Sequence, residues 1–240
     1  MNIVILDKLS FLQNALNEYI TRDWKQNRTE LDFMIASTLE MAELIDSKTE
    51  VDGVKYEMNW KWWKGMLGAR TTDLVDWNNL HPNVIDNIKI ELTDLGFFTL
   101  SQMILNDHTD PDEIIRLNEN DWVNFMSIVA NNLLQRPSAA MTIILGLAEK
   151  LHFNISAYYM AKHLLNYYRQ ISKYGDGYEK IKNGKEDNEL LHDIISDITI
   201  DAINNDFDAT YNLIAERFFM IFKAPKDKEI DITFWHNLIK

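Results

Sequence analysis

The chain lacks cysteine, is poor in the residues that break helices, and has a deficit of basic side chains. Without cysteine it has no disulfide framework and no thiolate ligands, which excludes most structural zinc sites. Its 240 residues include only 8 glycines and 4 prolines, so tight turns are few and long helices are favoured. The 24 basic residues stand against 37 acidic ones, and the net charge of −13 argues against general affinity for nucleic acid.

Long apolar runs are also missing. No run reaches 18 residues, so the sequence predicts no membrane-spanning helix. The charged residues Asp7 and Lys8 interrupt the first apolar stretch before it is long enough to be the core of a signal peptide. We therefore expect a cytoplasmic protein without nucleic-acid or membrane partners, folded as a globular chain with one sizeable core.

Apolar residues recur at helical spacing through most of the chain, and no stretch shows convincing strand alternation. The pattern predicts helices near 2–21, 30–47, 82–106, 111–135, 138–151, 154–173, 187–205, 208–223 and 232–239. Pro82 and Pro137 suit first turns, and Asn154 suits a helix cap. The predicted fold is all-α, a helical bundle forming a single domain over 1–240, with irregular loops at 48–81 and 173–186.

Two short carboxylate pairs lie inside apolar helical segments. Glu40 and Glu43 form one pair, Glu91 and Asp94 the other, and a spacing of three places both members of a pair on one helix face. The segment around the first pair is apolar nearly all round, so we expect both of its acids to be kept from water. Buried carboxylates must be paired, protonated or bound to a cation, and oxygen-only ligands favour Mg²⁺, with Mn²⁺ as an alternative. Solvated surface acids remain the alternative interpretation.

A basic window occupies 162–185 of this otherwise acidic chain. Lys162 and Arg169 lie two turns apart on one helix face, so both can reach one elongated anion. The loop that follows has glycines at positions 175, 177 and 184, which allow backbone N–H groups to approach phosphate oxygens. A second aromatic and basic cluster, 60–64, offers flat faces that can stack on a base or cover a site. The alternative for the basic window is a solvated loop beside an exposed helix face. The alternative for 60–64 is that its tryptophans pack the loop onto the helices.

Together these segments resemble the dimeric all-α dUTPases, a branch of the all-α nucleoside triphosphate pyrophosphohydrolases that includes MazG-like proteins. The resemblance rests on the two carboxylate pairs and on the sequence segments around them. The matching segments are LQNALNE at 12–18, MAELIDS at 41–47, NWKWWK at 59–64, IKIELTDLGFF at 88–98, AKHLLNYYRQ at 161–170 and YGDGYEKIKNGKEDNELL at 174–191. No comparable match covers 192–240.

The resemblance implies an enzyme, dUTP diphosphatase, that hydrolyses dUTP and dUDP to dUMP as a homodimer. Such an enzyme clears dUTP from the nucleotide pool and supplies the precursor of dTMP. The implied metal ligands are Glu40, Glu43, Glu91 and Asp94, with Glu43 also the catalytic base. The implied substrate contacts are Gln13, Asn17 and Trp60 for deoxyuridine and Lys162, Arg169, Tyr174, Tyr178, Lys180, Lys185 and Asn188 for phosphates or the closing loop.

The chain departs from the family pattern at three places. The interval between Glu43 and Glu91 is longer than usual, so the 48–81 loop carries extra material. Asn14 stands where relatives have Gln, which leaves the assignment of Gln13 to the base open. Ile181 replaces an aromatic residue. None of these departures touches the four acids.

Three alternatives stay open. The first is a related pyrophosphohydrolase that acts on another nucleotide, such as dCTP. The second is a non-catalytic helical interaction protein, which would not need the acids and the basic loop together. The third is a di-iron bundle built on Glu149-x-x-His152 and Glu189-x-x-His192, whose spacing fits but whose side chains we expect to face solvent.

Overall fold

The protein is helical throughout most of the part that its structure, a computed structural model, describes: residues 3–57, 80–107, 136–172, 178–182 and 184–222. These ranges contain nine helices and two small hairpins. The helices are α1 (Ile3–Ile20), α2 (Trp24–Asn27), α3 (Glu30–Ile45), α4 (Pro82–Leu105), α5 (Pro137–Lys150), α6 (Ile155–Ile171), α7 (Asp187–Ile195), α8 (Ile200–Asn205) and α9 (Phe207–Ile221). The strands are β1 (Lys48–Val51), β2 (Val54–Glu57), β3 (Ile181–Lys182) and β4 (Lys185–Glu186). The all-α prediction is confirmed.

Most predicted helix boundaries agree with the observed ones to within two residues. Pro82 and Pro137 begin α4 and α5, where a missing N–H costs nothing. The Asn154 side chain caps α6 by accepting a hydrogen bond of 3.3 Å from the Ala157 N–H. The predicted helices 111–135 and 232–239 lie outside the described residues.

The single helix predicted over 187–205 is wrong, because the chain breaks after Ile195 and starts again as α8. Thr199 causes the restart: its backbone is extended and its hydroxyl accepts from the Ala202 N–H at 3.1 Å. A residue that bonds a backbone N–H in this way satisfies a free donor at the first turn of a new helix.

The two stretches expected to be irregular loops, 48–81 and 173–186, each contain a short hairpin. β1 and β2 pair antiparallel, with Val51 opposite Val54, across a two-residue turn at Asp52 and Gly53. Both turn residues have positive φ, 51° and 77°, which matches the turn that fits the twist of a hairpin. The second hairpin, β3 with β4, lies within the predicted loop 173–186.

The chain divides into two compact units. Unit 1 comprises the described parts of 1–29, 104–110 and 154–240, and unit 2 those of 30–103 and 111–153. In unit 1, helix α6 contacts α1, α7, α8 and α9, and almost all of its side chains are buried. In unit 2, Gly96 of α4 faces the Ile144 side chain of α5. The expectation of one domain over 1–240 stays a prediction.

None of the helices in the described ranges combines the length and the apolar character needed to cross a membrane.

Candidate active site

Three carboxylates meet in unit 2. Glu40 lies on α3, and Glu91 and Asp94 lie one turn apart on α4. One oxygen from each of the three falls within 4.8 Å of the others, and all three side chains are half-buried. Among the described residues, this is the only group of three or more histidines and acids with such geometry. Three of the four predicted metal ligands therefore lie together, and their role as ligands stays a prediction.

The environment of this group suits a divalent ion. Ile88, Leu92 and Leu95 on α4 are fully buried, so the helix that carries two of the three acids is held firmly by its apolar face. Carboxylates this close repel one another when ionised, and a cation between them removes that repulsion. The donor set is all oxygen, which favours a hard cation over zinc or copper.

Glu43 lies outside this group and is exposed to solvent. The expectation that both acids of the first pair are kept from water is wrong for this residue. The physical reason is that α3 is covered less than its composition suggests, since Ile35 and Leu39 are themselves 52% and 60% exposed. Apolar neighbours in the sequence bury a helix face only where another element packs on it.

The two amides assigned to deoxyuridine are joined in unit 1. Gln13 is 3% exposed, and its Nε2 donates to Asn17 Oδ1 at 2.9 Å, one turn further along α1. The hydroxyl of Tyr159, on α6, donates to Gln13 Oε1. Asn14, the residue that left the assignment of Gln13 open, accepts instead from the Trp24 indole at 3.1 Å. Asn14 is thus engaged in packing α2 on α1.

The predicted phosphate contacts come together around one amide oxygen. Asn188 Oδ1 accepts from Lys162 Nζ at 2.7 Å and from Arg169 Nη2 at 3.1 Å. Lys162 is 3% exposed, which is unusual for a lysine and indicates that its ammonium group is held by specific partners. Two cations therefore converge on one point in unit 1, and the prediction that both bind one anion stays a prediction.

Asp187 is a member of this cluster that the sequence analysis did not include. Its carboxylate is fully buried and holds Arg169 through two bonds, Nε to Oδ2 at 3.0 Å and Nη2 to Oδ1 at 2.7 Å. Its N–H also donates to the Lys180 carbonyl at 2.8 Å, which joins the second hairpin to α7. The available signal was an acid two residues after the basic window, at the first position of a predicted helix.

The other predicted loop residues are less integrated. Tyr178 accepts from Arg169 Nε at 3.2 Å, which ties it to the cluster. Lys180 and Lys185 form surface ion pairs with Glu186 at 2.9 Å and Asp193 at 3.3 Å. Trp60 and Tyr174 lie outside the described residues.

A buried histidine fastens α6 to two neighbours in unit 1. His163 Nε2 lies 3.0 Å from the Leu12 carbonyl, and Nδ1 lies 2.9 Å from the Tyr211 hydroxyl. Because a carbonyl only accepts, the proton sits on Nε2, and Nδ1 accepts from the tyrosine. Burial lowers the pKa of His163 to about 4, with a partly opposing effect of the Leu12 carbonyl. The neutral imidazole is therefore the native form at neutral pH.

The di-iron alternative finds no support in the geometry. Glu149 and His152 are exposed, as expected. Glu189 is also exposed and accepts from the Glu186 N–H at 3.2 Å as part of a capping box. His192 is half-buried against Tyr158. Neither motif contributes to a three-residue ligand group within the described residues.

Comparison with protein-family models gives a match. A protein-family model described as dUTPase matches residues 5–174, well over half of the chain. The matched region includes all three clustered carboxylates, the Gln13–Asn17 pair and the α6 residues Lys162 and Arg169. No curated protein sequence matches the chain closely enough to count as a relative.

Proposed function

The chain belongs to the all-α dUTPase family and is a dUTP diphosphatase, and from that premise we propose that Mg²⁺ bound by Glu40, Glu91 and Asp94 supports the hydrolysis. The observation that carries the proposal is the approach of one oxygen from each acid to within 4.8 Å of the others, inside the matched region. Enzymes of this family generally use a divalent metal. Mn²⁺ fits the same oxygen ligands, so we expect it to substitute.

The reaction adds water to phosphorus and releases dUMP and pyrophosphate. When bound, the divalent ion supplies the Lewis acidity that offsets the phosphate charge. We propose that Glu43, which is exposed on the same helix as Glu40, accepts the proton of the attacking water and also contributes to metal binding. Because this carboxylate is exposed, it can release that proton directly to solvent.

Lys162 and Arg169 are proposed to stabilise the negative charge of the phosphates. Their shared partner, Asn188 Oδ1, carries only a partial charge, so a fully charged phosphate oxygen is a stronger partner for both cations. Asp187 holds the Arg169 guanidinium through two bonds and fixes its direction. Lys180, Lys185 and Tyr178 are proposed to close over the nucleotide.

Recognition of the base and the oligomeric state are also proposed. Gln13 and Asn17, joined by a hydrogen bond, are proposed to contact uracil together with Trp60, and Tyr174 is proposed to belong to the closing loop; Trp60 and Tyr174 lie outside the described residues. We propose that the enzyme also accepts dUDP and acts as a homodimer. It would remove dUTP from the nucleotide pool and supply dUMP for dTMP synthesis. The predicted cytoplasmic location, without nucleic-acid partners, stays a prediction.

The test is hydrolysis of dUTP, dUDP, dCTP, dTTP and UTP with Mg²⁺ or with EDTA. We expect turnover of dUTP that is lost in EDTA and falls by a factor of about 10³ in Glu91→Gln, because several kcal/mol of charge stabilisation disappear with the ligand. Glu149→Gln, an exposed acid of the same unit, is the matched control and should keep full activity. Preferential turnover of dCTP would overturn the base assignment, and an unimpaired Glu91→Gln enzyme would overturn the metal assignment.

A further inference from the structure

The second hairpin, β3 with β4, is too small to hold its own position. Each strand has two residues, and the register places Lys182 directly opposite Lys185. An isolated two-stranded hairpin is at best marginally stable, and like charges directly opposite each other weaken the pairing further. The position of this hairpin in unit 1 therefore depends on its contacts with the helices around it.

Lys182 makes one of these contacts, with aromatic side chains from two parts of unit 1. Its Nζ donates a hydrogen bond to the Tyr168 hydroxyl at 3.3 Å. The same atom lies 5.2 Å from the centre of the Tyr168 ring and 5.6 Å from the centre of the Phe222 ring. Tyr168 belongs to α6, and Phe222 directly follows α9. An ammonium group within about 6 Å of a ring centre is attracted by the negative face of the ring.

The surface that receives Lys182 is buried and closely packed. Tyr168, Phe218 and Phe222 form an aromatic cluster. Phe218 and Phe222 are fully buried and stacked, with ring centres 4.3 Å apart. The Tyr168 ring packs edge-on against both, at 5.9 Å from Phe218 and 5.5 Å from Phe222. A close-packed interior resists displacement, so the aromatic cluster offers the hairpin a fixed point of attachment.

From these contacts we propose that Lys182 is a positioning residue, which docks the hairpin on the aromatic cluster and so holds Lys180 and Lys185 where they reach the nucleotide. This role rests on the proposed function of those two lysines in closing over the nucleotide. Lys182 acts through them, because its own ammonium group is held at the aromatic cluster.

The docked hairpin is joined directly to the cationic side chains assigned to the phosphates. The Lys180 carbonyl accepts from the Asp187 N–H at 2.8 Å, and Asp187 holds the Arg169 guanidinium through two bonds. Tyr168, which receives Lys182, directly precedes Arg169 in α6. A hairpin that leaves the aromatic cluster therefore carries Lys180 away from Arg169 and from a phosphate bound beside it.

Helix α9 takes part in nucleotide binding through this contact. Both the hairpin and α9 lie beyond residues 5–174, the region that the family model matches. Arg217 of α9 donates to the Ile194 carbonyl at 3.0 Å and to Asp197 Oδ2 at 2.9 Å. Helix α9 therefore contacts the hairpin and the end of α7 at the same time, and it holds the two in a fixed relation.

Loss of the docking contact should weaken nucleotide binding more than catalysis. A nucleotide that binds only when the hairpin is docked has an apparent Kd that rises as the docked fraction falls. Once bound, the phosphates themselves attract the two lysines, so the chemical step proceeds from the same complex. The expected signature is a higher KM for dUTP at a nearly unchanged kcat.

The test uses the full chain with Mg²⁺ and measures kcat and KM for dUTP, together with Kd for a dUTP analogue whose α,β-imido bridge resists hydrolysis. Lys182→Met removes the charge and keeps an apolar stem, whereas Lys182→Arg keeps a cation that binds aromatic rings. Phe222→Leu removes a ring from the other side of the contact. Lys8→Met is the matched control, because Lys8 lies 5.0 Å from the ring centre of Phe207, at the opposite end of α9.

We expect Lys182→Met to raise KM and Kd about five- to tenfold and to leave kcat within about twofold of wild type. Lys182→Arg should restore most of the affinity. Phe222→Leu should raise Kd, and the double variant should bind no more weakly than the weaker single variant, because both substitutions break the same contact. Lys8→Met should behave as wild type.

Four results would overturn the inference. The first is a Lys182→Met enzyme with the KM and Kd of wild type, and the second is a fall in kcat without a change in KM. The third is an equal loss of affinity in Lys182→Met and Lys8→Met, which would indicate a general structural effect. The fourth is an equal loss in Lys182→Met and Lys182→Arg, and this comparison decides the question if Phe222→Leu does not fold. A wild-type enzyme that neither binds the analogue nor hydrolyses dUTP would instead refute the proposed function itself.

Discussion

The Arg169–Asp187 pair is the residue-level feature that holds the cluster of Lys162, Arg169 and Asn188 in place. Asp187 is fully buried, and the Arg169 side chain is only 11% exposed, so neither charge is well solvated. The pair also joins α6 to the start of α7 and, through the Asp187 N–H, to the second hairpin. A guanidinium held at two points presents its remaining N–H groups in a fixed direction.

Asp187→Asn should therefore destabilise the protein strongly. The substitution leaves the buried Arg169 charge without its counter-charge, and removing one partner of such a pair costs about 3–5 kcal/mol. Urea unfolding measures the change. Asp193→Asn is the control, since it removes the same charge from a surface pair with Lys185 that is more than half exposed on both sides. Equal effects of the two substitutions would contradict the account.

His163 makes the stability of the protein depend on pH. Its pKa is about 4 in the native state and near 6.5 in the unfolded chain, so the unfolded chain binds the proton first as the pH falls. The stabilisation is complete above pH 6.5 and is lost as the pH falls toward 4. Between pH 7.5 and 5 the loss amounts to about 2 kcal/mol.

Urea unfolding at pH 7.5 and pH 5 tests this, with wild type compared to His163→Gln. We expect the variant to be less stable at pH 7.5 and to lose about 2 kcal/mol less than wild type on acidification. His152→Asn removes an exposed histidine and should keep the wild-type dependence. The same pH dependence in wild type and His163→Gln would show that the buried imidazole is not responsible.

At the scale of elements, two glycines illustrate opposite uses of the same residue. Gly53 stands in the first hairpin with φ of 77°, whereas Gly96 lies inside α4, and a Cβ built on it would meet Ile144 at an ordinary 4.0 Å. We expect Gly96→Ala to stabilise the protein by about 0.5–1 kcal/mol, since alanine restricts the unfolded chain. Gly53→Ala should destabilise it by about 1–2 kcal/mol through backbone strain alone.

Thermal unfolding of both variants checks these values, and Gly53→Asn serves as the control, since asparagine tolerates positive φ better than alanine. A lower melting temperature for Gly96→Ala would show that α4 and α5 pack more tightly there than the distance to Ile144 indicates.

The elements also show how far the sequence alone leads. Helical periodicity located α1, α3, α4, α5, α6 and α9 because their buried faces repeat every three to four residues. The first hairpin escaped because its strands have four residues each and lie mostly exposed, so they lack apolar alternation; its one signal was Asp52-Gly53. The break before α8 required a cap at Thr199 to outweigh continuing apolar periodicity.

For the site, the sequence reveals which residues share a face of one helix, but it does not reveal contacts between residues of different helices. The spacing of Glu91 and Asp94 predicts one face on one helix, and the structure agrees. The exposure of Glu43 depends on what packs against α3, which periodicity does not report. The contact between Tyr159 and Gln13 and the pairing of Arg169 with Asp187 arise from packing between helices, so no spacing rule reveals them.

At the scale of the whole molecule, an apolar stripe on α3 supports the proposed homodimer. Leu31, Ile35 and Leu39 recur every fourth residue and are each more than half exposed. If this stripe forms the dimer contact, Ile35→Glu should convert the dimer to a monomer, which sedimentation velocity detects. Met220→Glu, at a 78% exposed position of α9, is the control. A wild-type monomer, or an Ile35→Glu dimer, would contradict this part of the proposal.

Equilibrium binding of Mn²⁺, followed by electron paramagnetic resonance, tests most directly whether the three carboxylates of unit 2 form the metal site. Wild type and Glu149→Gln should bind Mn²⁺ equally, and Glu91→Gln should bind it at least about tenfold more weakly, because one of three clustered oxygen ligands is lost. Equal affinity in wild type and a folded Glu91→Gln variant would contradict the claim that these acids form the metal site of the enzyme.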